Sequence, residues 1–398
     1  MSFIPAEEID RRIAALQASM GAANPPLDAL ILVQSIDVYY ASGTFQNAHV
    51  ILPASGKPRL LVRRVLERAQ DESPLLDVRP MMSLKDLPGH LRDLCGPPPW
   101  RLGFELDVLP VRQLQVYQGI LGPDGGVQDA SDLVLDARSV KSPWEIKCIR
   151  EAGEIMVRVF QDLPSFLQED ISTHELQALL DCRARILGHP GLARLRGLNS
   201  ECPISVIVSG PSGAAPSHTI FPIGGEGIDP AVPLGGDLQK IRRDVPVAID
   251  CLGFSAGYHA DQTRMAVKGR LPAGAGRIYS VMLDVLRHCE TALRPGAIPS
   301  EVYNDCLGIV RDQGLADGFL GLPGYAVAFV GHSIGLEVNE LPVLAPRFDK
   351  PLRSGMVLAV EPKFTHPDWG VIGIENTYVL NEGGLECLTP IPETVIMV

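Results

Sequence analysis

Basic residues are scarce in this sequence, and long apolar runs are absent. Its 398 residues carry 35 Lys and Arg against 47 Asp and Glu, a formal net charge of −12. That balance argues against a duplex nucleic-acid binder, which needs basic patches to replace counterions. The longest apolar runs, such as Leu30-Ile31-Leu32-Val33, fall far short of the roughly 20 residues a membrane span needs. Eight cysteines contain no C-x-x-C pair and no zinc-ribbon spacing. They read as buried thiols of a reducing compartment, not as a disulfide framework. The opening MSFIPAEEIDRRIAALQ reads as the start of a charged amphipathic helix and lacks the apolar core of a secretion signal. No internal repeat and no low-complexity tract is visible. The expectation is a cytoplasmic globular protein, without nucleic acid or membrane as partner, and long enough for two or three domains.

The texture divides the chain. Residues 6–20 have Ile9, Ile13, Leu16 and Met20 at helical spacing. Leu27–Val33, Ala48–Leu52, Leu60–Val62 and Arg101–Glu105 read as short strands, and Pro88–Leu94 as a helix. The first 120 residues therefore alternate as a small α/β domain does. The Gly- and Asp-rich stretch 119–134 is the expected boundary, giving domains 1–134 and 135–398. A long helix then starts at Ser142-Pro143, with Glu145 completing a capping box, and a second capped helix covers 172–187. Beyond residue 200, apolar strand-like segments alternate with Gly/Pro turns: 204–209, 245–254, 258–269, 326–330, 356–364 and 371–380. Helices are expected at 274–293 and 299–313. This half is α+β with an antiparallel sheet.

Gly331-His332-Ser333-Ile334-Gly335 matches G-x-S-x-G, the nucleophile elbow of serine hydrolases. The elbow requires a strand, then a helix. Residues 325–330 suit the strand, but Pro342, nine residues after Ser333, opposes the helix. After Ser333 only His366 remains as a triad histidine, and no HGGG-type oxyanion segment precedes it. The same pentad offers His332 as a metal ligand.

Four carboxylates favour that second use. Asp250 and Asp261 lie in "VPVAIDCLGFSAGYHADQTRMAVKG". Folded as a hairpin about Ser255-Ala256, the segment sets them directly opposite each other, about 5 Å apart. Like charges 4 Å apart repel by ~4 kcal/mol at an effective dielectric of 20. Glu361 ends the apolar "MVLAVE", and Glu375 lies inside "WGVIGIENTYVL". Each alone has an ordinary reading, as a turn residue or a solvent-facing strand residue. Together, four carboxylates in apolar strand contexts, without a Lys or Arg nearby for each, point to cations supplied from outside. An oxygen-rich set with one imidazole suits Mn, Fe, Co or Zn. Two divalent ions balance the four charges, so the expected cofactor is a pair of divalent ions, manganese favoured.

The motifs "VAIDCLGFSAGYHADQTR", "VGHSIGLEVNELP", "LAVEPKF" and "GIENTYVL" resemble those of the superfamily of methionine aminopeptidase, aminopeptidase P, prolidase and creatinase. The chain is most similar to its Xaa-Pro aminopeptidase-like members. The segments "LDALILVQSIDVYYASG" and "RLGFELDVLP" resemble the accessory domain of creatinase-type members. The resemblance implies a C-terminal catalytic domain of the pita-bread fold, preceded by a smaller creatinase-type α/β domain. It implies that Asp250 chelates the first ion, Asp261 and Glu375 bridge both, and His332 and Glu361 complete the second. Glu361 would then help deprotonate a metal-bridged water, whose hydroxide attacks the substrate. "SGPSGAAPSH" resembles a segment whose histidine, here His218, helps bind substrate. A homodimer is a further implication.

One position departs from the family. Where a second histidine is expected before a glutamate, this chain has Asn339, which hydrogen-bonds but does not shuttle protons. The stretch 219–244 is also longer than usual and is expected to reshape the pocket. His259, two residues before Asp261, is expected on the same strand face, either supporting the site or merely near it. Arg264 is expected to pair with a ligand carboxylate or to close a surface ion pair. The functional expectation is a dinuclear metallohydrolase of Xaa-Pro aminopeptidase or dipeptidase type, taking a peptide or small amide. A creatinase-like C–N hydrolase or lyase is the alternative, and a non-enzymatic binding module is a third reading.

Overall fold

The computed structural model describes residues 3–168 and 170–398. Two compact units emerge: residues 1–138 with 196–199, and residues 139–195 with 200–398. Among the described residues, no helix is long and apolar enough to cross a membrane.

The first unit is built on a six-stranded sheet of β1 (Ala29–Leu32), β2 (Ala48–Pro53), β3 (Arg59–Val62), β4 (Val78–Pro80), β5 (Trp100–Phe104) and β6 (Gly125–Asp129), in the order β4-β3-β2-β1-β5-β6. β1, of sequence ALIL, is buried throughout, as a central strand with both faces covered must be. It pairs antiparallel with β2 and parallel with β5. Ile31, Ile51, Leu61, Leu102, Phe104 and Tyr117 form the core. Each such side chain contributes about 1.5–3 kcal/mol by leaving water. The stretch 119–134 is no linker here: Gly125–Asp129 is β6, parallel to β5, and Ser131–Ser139 is a helix. Its glycines mark an edge strand packed against the preceding helix.

The second unit opens with helix Pro143–Phe166, whose Ser142 and Glu145 form the expected capping box. It packs on a hairpin of β8 (Pro246–Ser255) and β9 (Tyr258–Val267), which extends from β7 (Ser205–Ser209). Contact between helix and hairpin is close at Gly253, where a Cβ would stand 2.1 Å from the Ala152 carbonyl oxygen. A five-stranded sheet contains β10 (Gly331–Ser333), β11 (Glu340–Val343), β12 (Val357–Val360), β15 (Asn376–Asn381) and β16 (Gly384–Cys387), in the order β11-β10-β12-β15-β16. β13 (Lys363–His366) and β14 (Gly370–Gly373) form a separate two-stranded ladder. β17 (Ile396–Met397) adds parallel to β9. Helices Ala273–Ala292 and Pro299–Asp312 cover the core of Met265, Met282, Val285, Leu286, Leu358 and Phe364.

Three local expectations are corrected. The hairpin turns at Ala256-Gly257, both with positive φ (47° and 91°), not about Ser255-Ala256. That two-residue loop of the primed type moves the register by two. Asp250 therefore pairs with Thr263, and Asp261 with Leu252. The carboxylates are diagonal rather than directly opposed, but a shift of two keeps them on one face. Residues 325–330 form no strand; after the turn-forming Gly321, Pro323 and Gly324, the ladder begins only at Gly331. The segments 356–364 and 371–380 are each broken, at Glu361-Pro362 and at Ile374-Glu375. At the first break the chain leaves the five-stranded sheet for the smaller ladder, and at the second it returns.

Candidate metal centre

The breaks position the glutamates. Glu361 follows β12 and Glu375 precedes β15, where neither residue is held in its sheet's ladder. Glu361 N–H donates to Val330 O, and Glu375 N–H to Thr263 O, 3.2 Å away on β9. Asp250 and Asp261 come from β8 and β9, and His332 from the middle of β10, opposite Ala359 of β12. Two groups of ligand atoms result. Asp261, His332 and Glu375 place one atom each within 4.8 Å of one another, and so do Asp250, Glu361 and Glu375.

Burial is nearly complete. Glu361 and Glu375 are 3% and 0% exposed, and Asp261 is 7% exposed. Burial, with the Glu375 and Asp250 carboxylates nearby, pushes the Asp261 pKa well above the usual range. Glu375 is pushed up to about 8, by burial first and then by Glu361, against the pull of Lys363. Burial also acts to raise Glu361, but Lys363 and His332 outweigh it and hold that carboxyl below its ordinary value. His332 Nδ1 lies 3.1 Å from the Ser333 carbonyl. Its Nε2 lies 3.3 Å from Glu361 Oε1, and with an N–H kept at Nδ1 this nitrogen would be free to ligate an ion in the cluster. Thr263 Oγ1 donates to Glu375 Oε2 at 2.8 Å, and the Asp261 backbone N–H donates to Thr377 Oγ1 at 2.9 Å.

Among the described residues, Asp261 Oδ1 and Glu375 Oε1 are buried without a hydrogen-bond partner. An orphaned carboxylate oxygen costs the full desolvation of a charge. Two such oxygens beside an available imidazole nitrogen form a donor set that suits a divalent ion.

A cation that the sequence reading overlooked lies in the other group. Lys363 Nζ stands 3.0 Å from Asp250 Oδ2, 2.5 Å from Glu361 Oε2 and 2.7 Å from Glu375 Oε2. Burial alone would lower its pKa, but these carboxylates hold it well above the lysine range. The signal was available: Lys363 follows Glu361 by two residues, the spacing that returns an extended chain to the same face.

The remaining sequence-derived residues separate. Ser333 is no exposed nucleophile; it is fully buried, and its hydroxyl accepts from Lys141 Nζ at 2.7 Å. Pro342 lies in β11, an edge strand, where its missing N–H costs little. Arg264 does neither thing expected of it. It is fully buried and donates to the Glu375, Thr263, Pro392 and Ile391 carbonyls and to Asn376 Oδ1, anchoring the backbone of Glu375. His259 is buried, with its ring Nδ1 3.1 Å from Gly335 O, and burial lowers its pKa to about 4. His218 is exposed, with Nδ1 3.3 Å from Pro233 O, and it does not line the cleft described next.

A cleft opens onto Asp250, Asp261, His332 and Glu361. Asn339 lines it, and the rest of its wall is mainly apolar, including Ile204, Leu252, Phe329 and Val338. The 219–244 stretch contributes Ile220, Phe221, Pro222 and Ile223 rather than His218. Phe329 sits edge-on to the His332 ring, centroids 6.1 Å apart. The sequence pointed to the 219–244 stretch but not to its individual wall residues, because Ile220, Phe221, Ile223 and Phe329 lie in loops, where apolar residues carry no periodic signal.

The pattern of metallopeptidase family M24 matches residues 147–382, and that of the creatinase/prolidase N-terminal domain matches residues 12–140. The chain is 27% identical over 404 residues to the probable dipeptidase PepE of Mycobacterium tuberculosis, covering 99% of this chain and 97% of that one. It is 23% identical to the Xaa-Pro dipeptidase of Pyrococcus furiosus, covering 91% and 93%. The solved structure of an Xaa-Pro dipeptidase from Bacillus anthracis superposes with a TM-score of 0.82 at 23% identity, over 98% of this chain and all of that one.

Proposed function

The chain belongs to metallopeptidase family M24, and from that premise we propose that it is a metal-dependent dipeptidase for Xaa-Pro or similarly apolar dipeptides. The observation that carries this reading is the cleft in which an apolar wall meets the carboxylate and imidazole cluster. Such a cleft accepts a small substrate with an apolar side chain and holds its amide bond beside the cluster. The relatives named dipeptidase and Xaa-Pro dipeptidase agree with a substrate of that size.

Asp261, His332 and Glu375 would hold a divalent ion. When bound, that ion supplies Lewis-acid polarisation of an amide carbonyl and makes a nucleophile available near neutral pH. The oxygen-rich ligand set favours manganese among the candidates. Glu361 is held below its ordinary pKa by Lys363 and His332, and its carboxylate would take a proton from attacking water. Asn339 offers a carbonyl and an amide to the substrate, orienting it without moving a proton. Phe329 packs on His332 and keeps water from one side of the ring. All eight cysteines are free thiols, which supports a reducing, cytoplasmic setting.

The test is a panel of Xaa-Pro dipeptides, other apolar dipeptides, longer peptides and non-peptide amides, run after chelation and with Mn, Co or Zn restored. Metal-restored hydrolysis concentrated on the dipeptides is expected. Failure of every peptide, or turnover confined to non-peptide amides, would overturn the proposal.

A further inference from the structure

We propose that Lys363 is a resident cation at the Asp250–Glu361–Glu375 position, and that a divalent ion enters there only by displacing it. The two candidate positions then fill unequally: Asp261–His332–Glu375 first and tightly, Asp250–Glu361–Glu375 second and weakly. This inference rests on the metal-dependent reading above and concerns how that centre loads.

Occupancy is the first ground. An ammonium has three protons, and Lys363 Nζ has three carboxylate partners, at 3.0, 2.5 and 2.7 Å. The three residues it contacts are those of one candidate group and no others. At the other group, Asp261 Oδ1 and Glu375 Oε1 are buried without a hydrogen-bond partner, so among the described residues no side-chain ammonium meets those oxygens.

Seating is the second ground. Lys363 is fully buried, and it lies opposite Gly373 in the β13–β14 ladder. A Cβ at Gly373 would stand 2.7 Å from Lys363 Cγ and 2.8 Å from Lys363 Cα. The Pro362 carbonyl oxygen would be nearer still, at 2.6 Å, so only glycine allows the two strands to close this tightly, with the buried lysine stem held between them and its ammonium at the cluster.

Charge is the third ground. With all four carboxylates deprotonated, as ion binding requires, Lys363 leaves −3 in the cluster. One divalent ion brings that to −1. A second ion beside a retained ammonium brings it to +1, with two cations competing for the same oxygens. A buried excess charge of either sign is costly. The first ion therefore relieves the cluster, whereas the second must expel the lysine.

Equilibrium dialysis and titration calorimetry with Mn(II), on the full chain at one pH, read this directly. The wild type is expected to take one ion tightly and a second at least roughly 100-fold more weakly. At one equivalent, its electron paramagnetic resonance spectrum should show the six lines of an isolated Mn(II). Lys363→Met, which keeps the stem and removes the charge, should bind the second ion at least about 10-fold more tightly and give an exchange-coupled spectrum. Lys363→Gln serves if the Met variant does not fold, and the wild-type stoichiometry decides without either. Two ions of comparable affinity in the wild type, or an unchanged second affinity in the variants, would overturn this inference and leave the metal-dependent reading standing. A wild-type chain that takes up no Mn(II), Co(II) or Zn(II) would overturn both.

Discussion

Buried carboxylates occur in both units, and they are treated differently. In the first unit, Asp37 is fully buried and met by two arginines, Arg138 at 2.7 Å and Arg196 at 2.9 Å. Glu105, equally buried, accepts from the backbone N–H of Val33 at 2.9 Å. Both acids there are met from within the chain, Asp37 by arginines and Glu105 by backbone N–H groups. In the second unit, three of four clustered carboxylates share one lysine, and two oxygens of the cluster have no hydrogen-bond partner. The lesson is that a buried acid alone says little. An acid cluster in excess of the chain's own cations marks where an outside cation belongs.

The comparison breaks most visibly at Asp261. Asp261→Asn removes a ligand and a repulsive charge together. Hydrolysis should fall by more than about 100-fold, because even loss of a supporting hydrogen bond costs 10–100-fold at such sites. The melting temperature of the metal-free protein should hold or rise, which calorimetry checks. Retained activity would remove the metal centre from the account.

Asp37→Asn probes the matched side. It removes the buried carboxylate that Arg138 and Arg196 share, while Arg196 keeps Asp107, and should cost about 3–5 kcal/mol of stability by denaturant titration. The kcat per folded molecule should not change. The two aspartates thus exchange their effects: one substitution costs function with stability kept, the other the reverse.

Smaller effects sharpen the contrast. Phe329→Ala removes apolar wall and a ring that packs on His332, and should lower kcat/KM for apolar dipeptides roughly 10-fold, within the 1–3 kcal/mol of such contacts. His49, in the first unit, tests buried charge without chemistry. Burial, with Arg63 nearby, lowers its folded pKa from 6.5 to about 4. A depressed histidine favours the fold above its unfolded pKa, and that contribution is lost as pH falls from about 6.5 toward 4. His49→Gln should therefore flatten the decline of melting temperature over that window, measured by calorimetry from pH 7 to pH 4.

Much of this was legible in the sequence, for identifiable reasons. The capping boxes at Ser142 and Ser172 are local and formed as read. Asp250, Asp261, Glu361 and Glu375 stood out because charge in an apolar strand context is conspicuous, and His332 because two unlike motifs competed for one pentad. The register of β8 and β9 was two residues off, since it depends on whether Ala256 accepts a positive φ, which composition does not reveal. Glu361 and Glu375 were read as strand residues, yet they sit where strands break. Continuous hydrophobicity conceals a crossing between sheets. Lys363 was passed over because a lone lysine after a proline looks like a surface residue until Gly373 is seen across the ladder.

Crystals soaked in Mn(II), measured for anomalous scattering, test the central claim most directly. The account predicts a peak at coordinating distance from Asp261, His332 and Glu375, with none beside Asp37 or Glu105. Anomalous density absent from the Asp261–His332–Glu375 position under saturating Mn(II) would contradict it.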